Sequence, residues 1–244
     1  MTKLFALSLF YLILINTAIA QINEQYVVAA PTASLRSGDS KKEPLLATLS
    51  KNDVVQILKT NSNGWWYVDF NGTQGYVIAQ FLKKRSDEGW ISRKYQTGDT
   101  PTCENITAEF DENLDNHLKI TVNSNSDVVL KLMQRQSEGD KCIRTVYIEN
   151  NDFIVIRNIP EGKYYLKIAY GTDWRQKQVG EKCAGRFAEN AQYEMGNQQL
   201  NFKVIQFDNR VDIPSYSLTL GTKLKEGIDP TFTTQNISET EFNN

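Results

Sequence analysis

The side chains that enzymes use for nucleophilic and acid–base chemistry are few in this sequence. It has one histidine, His117, and three cysteines, Cys103, Cys142 and Cys183. A serine or cysteine nucleophile would need His117 as its base, and no cysteine lies in a sequence typical of a nucleophile. Carboxylate pairs hydrolyse glycosidic bonds without histidine, but no such pair stands out. We therefore expect no catalytic residues and no enzymatic activity.

One group of acidic and amide side chains has part of the spacing of a calcium loop. Asp111, Asn113 and Asp115 occupy its first, third and fifth positions, but Asn116 replaces the glycine and Val122 replaces the bidentate glutamate. The cysteine spacings match no zinc motif. We therefore expect neither a metal site nor a cofactor.

The three cysteines permit one disulfide in an oxidising compartment and leave one thiol over. A bond between Cys142 and Cys183 would close a loop inside the second half of the chain. A bond from Cys103 would instead tie down the segment before that half. Both pairings are compatible with the sequence.

The first twenty residues have the composition of a signal peptide. Lys3 supplies a positive start, residues 4–15 are almost wholly apolar, and Ala18 and Ala20 give the small-x-small pattern of a cleavage site. The apolar run is short for a bilayer span, so we expect cleavage of residues 1–20; the alternative is an uncleaved N-terminal anchor. The expected location is periplasmic or secreted, in the cell envelope.

Apolar–polar alternation and turn dipeptides run through the rest of the chain, without a long 3.6-residue period. This pattern predicts an all-β protein. We divide it into a small barrel at 24–84, a linker at 85–116 with one packed piece near Trp90, an antiparallel β-sandwich at 117–224, and a flexible tail at 225–244. The formal net charge of −2 gives no reason to expect a nucleic-acid partner.

Six short strands are predicted in the first block, at 26–29, 33–36, 44–49, 54–59, 65–70 and 74–78. Asn-Gly dipeptides at 63–64 and 71–72 are strong turn signals. In the strand between them, alternation turns Trp66 and Phe70 inward and Trp65 and Asp69 outward. Short antiparallel strands leave exposed edges unless the sheet closes, which predicts a small barrel.

Four segments of this block resemble bacterial SH3 domains, in the order found in that family. They read SLRSGDS at 34–40, LATLSKNDVV at 46–55, NGWWYV at 63–68 and GTQGYV at 72–77. Asn52 stands where the family usually has glycine, and asparagine is the next best residue for a left-handed backbone. The resemblance implies an SH3-like barrel that binds peptides or cell-wall peptidoglycan, often to position another domain.

Three aromatic residues of the barrel are the candidate ligand site: Trp65, Tyr67 and Tyr76. Their rings offer large contact areas that stack on sugars and peptide planes. Three polar residues are candidates for fixing polar ligand groups at the rim: Arg36, Asp39 and Asp69. The alternatives are that the aromatic rings only close the barrel, and that Arg36 and Asp39 form a turn-stabilising pair.

Seven strands are predicted in the second block, at 117–122, 128–134, 143–149, 153–159, 164–169, 200–207 and 216–220. Such a series is typical of a two-sheet sandwich. The turn IPEGKY at 159–164 resembles transthyretin-like, carboxypeptidase-regulatory-like domains, which are usually non-catalytic and assist adhesion, assembly or substrate presentation. We interpret 170–175 as a loop whose Trp174 either meets a ligand or folds over the core.

These features predict an exported, non-catalytic binding protein whose SH3-like domain binds cell-wall peptidoglycan or peptides. The alternative is a structural or assembly protein of the envelope, in which both domains bind other exported proteins.

Overall fold

The computed structural model describes residues 24–101, 107–180, 182–221 and 232–244. Strands dominate these residues, which confirms the expected all-β class. They form a seven-stranded barrel sheet, two further sheets that face each other, and a two-stranded ribbon. The predicted signal peptide lies outside the described residues. No helix within them is long and apolar enough to cross a membrane.

The barrel is built from the first seven strands of the chain. They are β1 (Gln25–Val28), β2 (Thr32–Arg36), β3 (Leu45–Ser50), β4 (Val54–Lys59), β5 (Trp65–Phe70), β6 (Thr73–Ile78) and β7 (Leu82–Lys84). They are ordered β3-β2-β6-β5-β4-β1-β7, and a 3-10 turn, Ala79–Phe81, joins β6 to β7. The first six match the predicted strands within one residue at each end, because their turn signals are strong.

Two turns of the barrel have the backbone that their residues favour. Asn71 and Gly72 both have positive φ, 50° and 79°, as the turn between β5 and β6 requires. Asn52, before β4, has φ of 72°, so it takes the left-handed conformation expected of it. Val68 and Phe70 point into the barrel core, as alternation predicts.

The second domain contains eleven strands within the described residues. They are β9 (His117–Val122), β10 (Asp127–Gln134), β11 (Lys141–Ile148), β12 (Phe153–Arg157), β13 (Lys163–Val179), β14 (Lys182–Gly196), β15 (Leu200–Asn201), β16 (Ile205–Gln206), β17 (Val211–Asp212), β18 (Tyr216–Leu220) and β19 (Thr234–Asn236). The large sheet is ordered β11-β10-β13-β14-β19, and β15 also pairs with β13. The small sheet is ordered β12-β9-β18, and its β9–β18 pairing is parallel.

The two sheets of this domain form a sandwich with a shared apolar core. Alternate residues of β9, such as Leu118 and Ile120, meet Leu130 and Leu132 of β10 and Ile168 of β13 between the sheets. All five are fully buried, and each such side chain contributes roughly 1.5–3 kcal/mol to folding. The sandwich fold is therefore confirmed.

The predicted loop at 170–175 is instead part of a long hairpin. Strand β13 continues to Val179, and β14 runs back beside it as far as Gly196. Trp174 is buried against Phe187, with ring centroids 4.9 Å apart, so it belongs to the core. The loop prediction was wrong because the polar residues of this hairpin obscure its alternation.

Residues 85–101, which we call the strap, run along this hairpin. The strap contains a short strand, β8 (Ile91–Ser92), that pairs with β13. The guanidinium of Arg186 lies 4.0 Å from the ring centroid of Trp90, and Tyr95 packs on Tyr147 at 5.8 Å. The contacts thus extend well beyond the single packed piece expected near Trp90, and this part of the predicted linker is a fixed element.

The chain end is also ordered, in contrast to the predicted flexible tail at 225–244. Its described part, 232–244, contains β19 and a short helix, α1 (Glu239–Asn243). Phe242 of this helix is fully buried against the outer face of the large sheet. The prediction of flexibility fails for this described part because two apolar side chains in an otherwise polar segment, Ile237 and Phe242, pack into the cluster on that face.

The helix α1 changes the environment of two lysines on the outer face of the large sheet. Lys131 and Lys167 lie directly opposite each other on β10 and β13, at positions that alternation assigns to solvent. Both are buried because α1 lies over them. Lys131 Nζ lies 4.7 Å from the ring centroid of Phe242, and Lys167 Nζ donates to the carbonyl oxygen of Glu241 at 2.7 Å. Burial, together with the charge of Lys131, lowers the pKa of Lys167.

The cysteines have different environments. Cys183 is disulfide-bonded. Cys142 remains a thiol, with its Sγ 3.3 Å from the carbonyl oxygen of Arg144. A bond between Cys142 and Cys183 is therefore not formed, and Cys103 lies outside the described residues.

Candidate ligand-binding face of the barrel

The β5–β6 hairpin brings the predicted aromatic residues together. Trp65 and Tyr67 alternate outward along β5, and Tyr76 of β6 lies directly opposite Tyr67. The two tyrosine rings are 5.0 Å apart and inclined at 50°. All three side chains are partly exposed. We call Trp65, Tyr67 and Tyr76 the aromatic face.

A glycine allows β2 to approach this face. A Cβ atom on Gly75 would lie 2.6 Å from the carbonyl oxygen of Arg36, so a larger residue would push β6 away from β2. The close approach places Arg36 opposite Tyr76. Arg36 also donates from Nη1 to the carbonyl oxygen of Glu43 at 2.6 Å, which ties down the loop at 37–44.

Beside Trp65 the barrel has an open groove with a volume of about 570 Å³. We call it the barrel groove, and its lining residues are Asp39, Ser40, Lys41, Lys42, Asn63, Gly64, Trp65, Ile78 and Gln80. Asn63 connects its two sides. The Asn63 amide donates to Asp39 Oδ2 at 2.7 Å, and its Oδ1 accepts from the Trp65 backbone N–H at 3.0 Å.

The remaining polar candidates are held by different partners. Asp69 accepts a hydrogen bond from the Gly72 N–H at 2.8 Å, so its carboxylate closes the turn at the far end of the hairpin. Arg36 and Asp39 bind Glu43 and Asn63 respectively, rather than forming the turn-stabilising pair considered from the sequence. Arg36 lies beside the aromatic face and Asp39 lines the barrel groove. Asp69 instead stabilises the turn between β5 and β6.

Sequence reasoning missed several residues of the barrel groove. Lys41, Lys42 and Ile78 all line it, and none of them was a candidate. The available signal was a pair of lysines in a short loop between Gly38 and Pro44. It does not reveal that the loop folds toward Trp65, since that depends on the long-range bond between Asn63 and Asp39.

The sandwich packs on a different part of the barrel. Val27 of β1 and Val54 of β4 belong to the apolar cluster on the outer face of the large sheet. Arg85, directly after β7, donates from Nη1 to the carbonyl oxygen of Phe187 at 2.8 Å. These contacts use β1, β4 and the end of β7, while the aromatic face uses β5 and β6. The aromatic face therefore stays open to solvent.

The described residues contain no group of three or more His, Cys, Asp or Glu side chains placed to hold a metal ion. The chemistry of the aromatic face and the barrel groove is that of non-covalent recognition: stacking, apolar contact and hydrogen bonding.

Comparison with known proteins agrees with this geometry. Residues 31–83 match the family model of the bacterial SH3 domain. The chain is 31% identical over 83 residues, 34% of its length, to the SH3 and PX domain-containing protein 2A of mouse and of human. It is 34% identical over 56 residues, 23% of its length, to the zebrafish protein of that name. The matches span only 7% of the mouse and human proteins and 5% of the zebrafish protein. The N-terminal barrel is thus an SH3-like domain.

Proposed function

We propose that this chain is an exported, non-catalytic binding protein that holds peptides or cell-wall peptidoglycan against the aromatic face. The observation that carries the proposal is the position of Trp65, Tyr67 and Tyr76. They share one partly exposed face of the barrel, while the contacts with the sandwich lie on other strands. The match of residues 31–83 to the bacterial SH3 domain supports binding as the role, and the composition of residues 1–20 supports export.

The sandwich has a supporting role in this proposal. It holds the barrel through Val27, Val54 and Arg85, and so sets the direction in which the aromatic face points. The turn at 159–164 resembles transthyretin-like domains, which is compatible with a structural or partner-docking part rather than a second ligand site.

A sedimentation assay with purified peptidoglycan sacculi, alongside a peptide array, tests the proposal. We expect the double variant Trp65→Ala/Tyr67→Ala to bind at least tenfold less than the wild type, because buried aromatic anchors contribute about 2 kcal/mol or more each. Circular dichroism should show that the variant stays folded. The matched control is Phe153→Ala, which removes an exposed aromatic ring of β12, outside the barrel. Equal binding by all three proteins, or no binding to either probe, would contradict the proposal.

A second candidate function, assembly with other envelope proteins, is favoured by the β16–β17 ribbon. Four large apolar side chains on or beside it are exposed by 40–57%: Ile205, Phe207, Val211 and Ile213. Exposed apolar clusters of this kind often mark protein interaction sites. Cross-linking in envelope extracts should then capture a partner with the wild type and lose it with Ile205→Ser/Phe207→Ser. Capture that persists in this variant would argue against the second candidate.

A further inference from the structure

The lining of the barrel groove combines apolar and basic side chains. Trp65 and Ile78 contribute apolar surface, and Lys41 and Lys42 stand on the loop beside them, both exposed. Among the described residues, no carboxylate pairs with either lysine. The barrel as a whole, residues 24–84, has seven Lys and Arg residues against five Asp and Glu.

The loop that carries these lysines is fixed by its own hydrogen bonds. The Ser37 N–H donates to the carbonyl oxygen of Pro44 at 3.1 Å, which closes the loop. Ser40 Oγ accepts from the Lys42 N–H at 3.2 Å, and the Arg36 guanidinium holds the Glu43 carbonyl oxygen. The backbone at Lys41 and Lys42 is therefore already fixed before a ligand binds, which reduces the entropy lost on binding.

The acidic residues near the aromatic face are already engaged. Asp69 binds the Gly72 N–H, and Asp39 accepts from Asn63. Lys59, opposite Tyr67 on β4, and Arg36, opposite Tyr76 on β2, add positive charge on either side. With Glu43 of the same loop included, four formal positive charges thus stand against three negative ones around the groove and the aromatic face, and this excess of one favours the approach of an anionic ligand.

We propose that the barrel groove selects peptides that carry a carboxylate beside an apolar residue. The apolar residue lies against Trp65 and Ile78, and the carboxylate is bound by Lys41 and Lys42. Asp39, which also lines the groove, opposes a densely charged polyanion such as a phosphate polymer, but can accept a peptide N–H. This inference rests on the proposed function, because it names the ligand chemistry of the same barrel face.

The test uses an array of random twelve-residue peptides probed with the full-length chain. Bound peptides should be enriched in Asp and Glu next to apolar residues. The double variant Lys41→Glu/Lys42→Glu should bind these peptides at least tenfold less tightly in fluorescence anisotropy. Replacing the peptide's Glu with Gln should weaken wild-type binding by a similar factor. Higher salt should weaken binding of the acidic peptide more than that of its Gln form.

The matched control is Lys83→Glu/Lys94→Glu, which reverses two exposed charges outside the barrel groove. It should bind as the wild type does. Peptide binding that needs Trp65 and Tyr67 but shows no acidic preference would overturn this inference and leave the proposed function standing. Tighter binding of polyphosphate than of any acidic peptide would also overturn it. If Trp65→Ala/Tyr67→Ala changes neither peptide nor sacculus binding, both proposals fail.

Discussion

At the scale of single residues, Arg85 joins three parts of the molecule. Its side chain is 5% exposed and forms an ion pair with Glu239 of α1. It also donates to Gln25 of the barrel, to the Phe187 carbonyl oxygen and to the Tyr193 hydroxyl of the sandwich. Burial lowers the pKa of Arg85, but its interactions with Tyr193 and Glu239 outweigh this effect and raise it, so the guanidinium stays charged.

We predict that Arg85→Met lowers the free energy of unfolding by about 3–5 kcal/mol, because it leaves the Glu239 carboxylate without its buried partner. Urea denaturation followed by circular dichroism measures the change. The neighbouring Lys84→Met is the control, since the Lys84 side chain is 63% exposed and its pair with Glu24 lies at the surface. Similar effects of the two substitutions would show that the Arg85 contacts do not contribute.

Asp53 gives the stability a dependence on pH. Burial raises its pKa; the hydrogen bond from the Ser50 N–H opposes this, and the nearby charge of Glu241 adds to it. The folded pKa therefore lies above the ordinary value of 3.8. Between these two values the folded protein binds more protons than the unfolded chain, so stability falls as the pH rises.

We predict that Asp53→Asn removes this fall in stability with rising pH. Asparagine can still accept the hydrogen bond from the Ser50 N–H, but it carries no charge. Measured by urea denaturation at several pH values, the stability of the variant relative to the wild type should increase as the pH rises above 3.8. Asp173 is the control. Burial raises the pKa of Asp173, but hydrogen bonds from Ser92 and Arg175 lower it overall. The stability of Asp173→Asn relative to the wild type should therefore decrease as the pH rises toward 3.8.

At the scale of elements, the short helix α1 stabilises the outer face of the large sheet. A capping box formed by Ser238 and Glu241 begins the helix. Phe242 then packs on Tyr193, with ring centroids 5.5 Å apart, and on Trp174 at 6.4 Å. A helix of one turn is unstable alone, so these tertiary contacts must hold it in place.

We predict that Phe242→Ala lowers the free energy of unfolding by about 3–5 kcal/mol, the usual cost of truncating a buried phenylalanine. Limited proteolysis should then release the segment that carries α1, because the helix loses its anchor. Phe207→Ala is the control, as that ring is 48% exposed. A wild-type digestion pattern for Phe242→Ala would mean that α1 is held without this side chain.

At the scale of the whole molecule, the apolar residues form three clusters rather than one for each domain. One fills the barrel and one fills the sandwich. The third lies on the outer face of the large sheet and includes Val27 and Val54 of the barrel with Ala169 and Phe187 of the sandwich. Asn52 also donates to Thr240 of α1 at 3.2 Å. The two domains therefore stabilise each other.

We predict a single urea unfolding transition for the wild type, seen alike by tryptophan fluorescence and by circular dichroism. Trp65 and Trp66 report on the barrel, and Trp90 and Trp174 on the strap and sandwich. In Arg85→Met/Phe242→Ala unfolding should separate into two transitions, because the cluster shared by the two domains is weakened. Two transitions in the wild type, or one in this variant, would contradict mutual stabilisation.

The barrel was the most predictable part, since its signals are local. Asn-Gly turns and period-2 alternation place β5 and β6 correctly, and they turn Trp65 and Tyr67 outward together. The partners of the polar site candidates, by contrast, could not be predicted. Asp39 and Asp69 accept hydrogen bonds from Asn63 and Gly72, and only the folded loop positions identify these partners.

By itself the sequence determined the all-β class, the first six strands of the barrel, and the presence of an outward aromatic set, because each depends on neighbouring residues along the chain. Only the tertiary structure decided that the strap and α1 are fixed, that Lys131 and Lys167 are buried, and that Lys41 and Lys42 face Trp65 across a groove. Those features depend on contacts between segments far apart in sequence. A polar segment gives no local sign of the partner that will cover it.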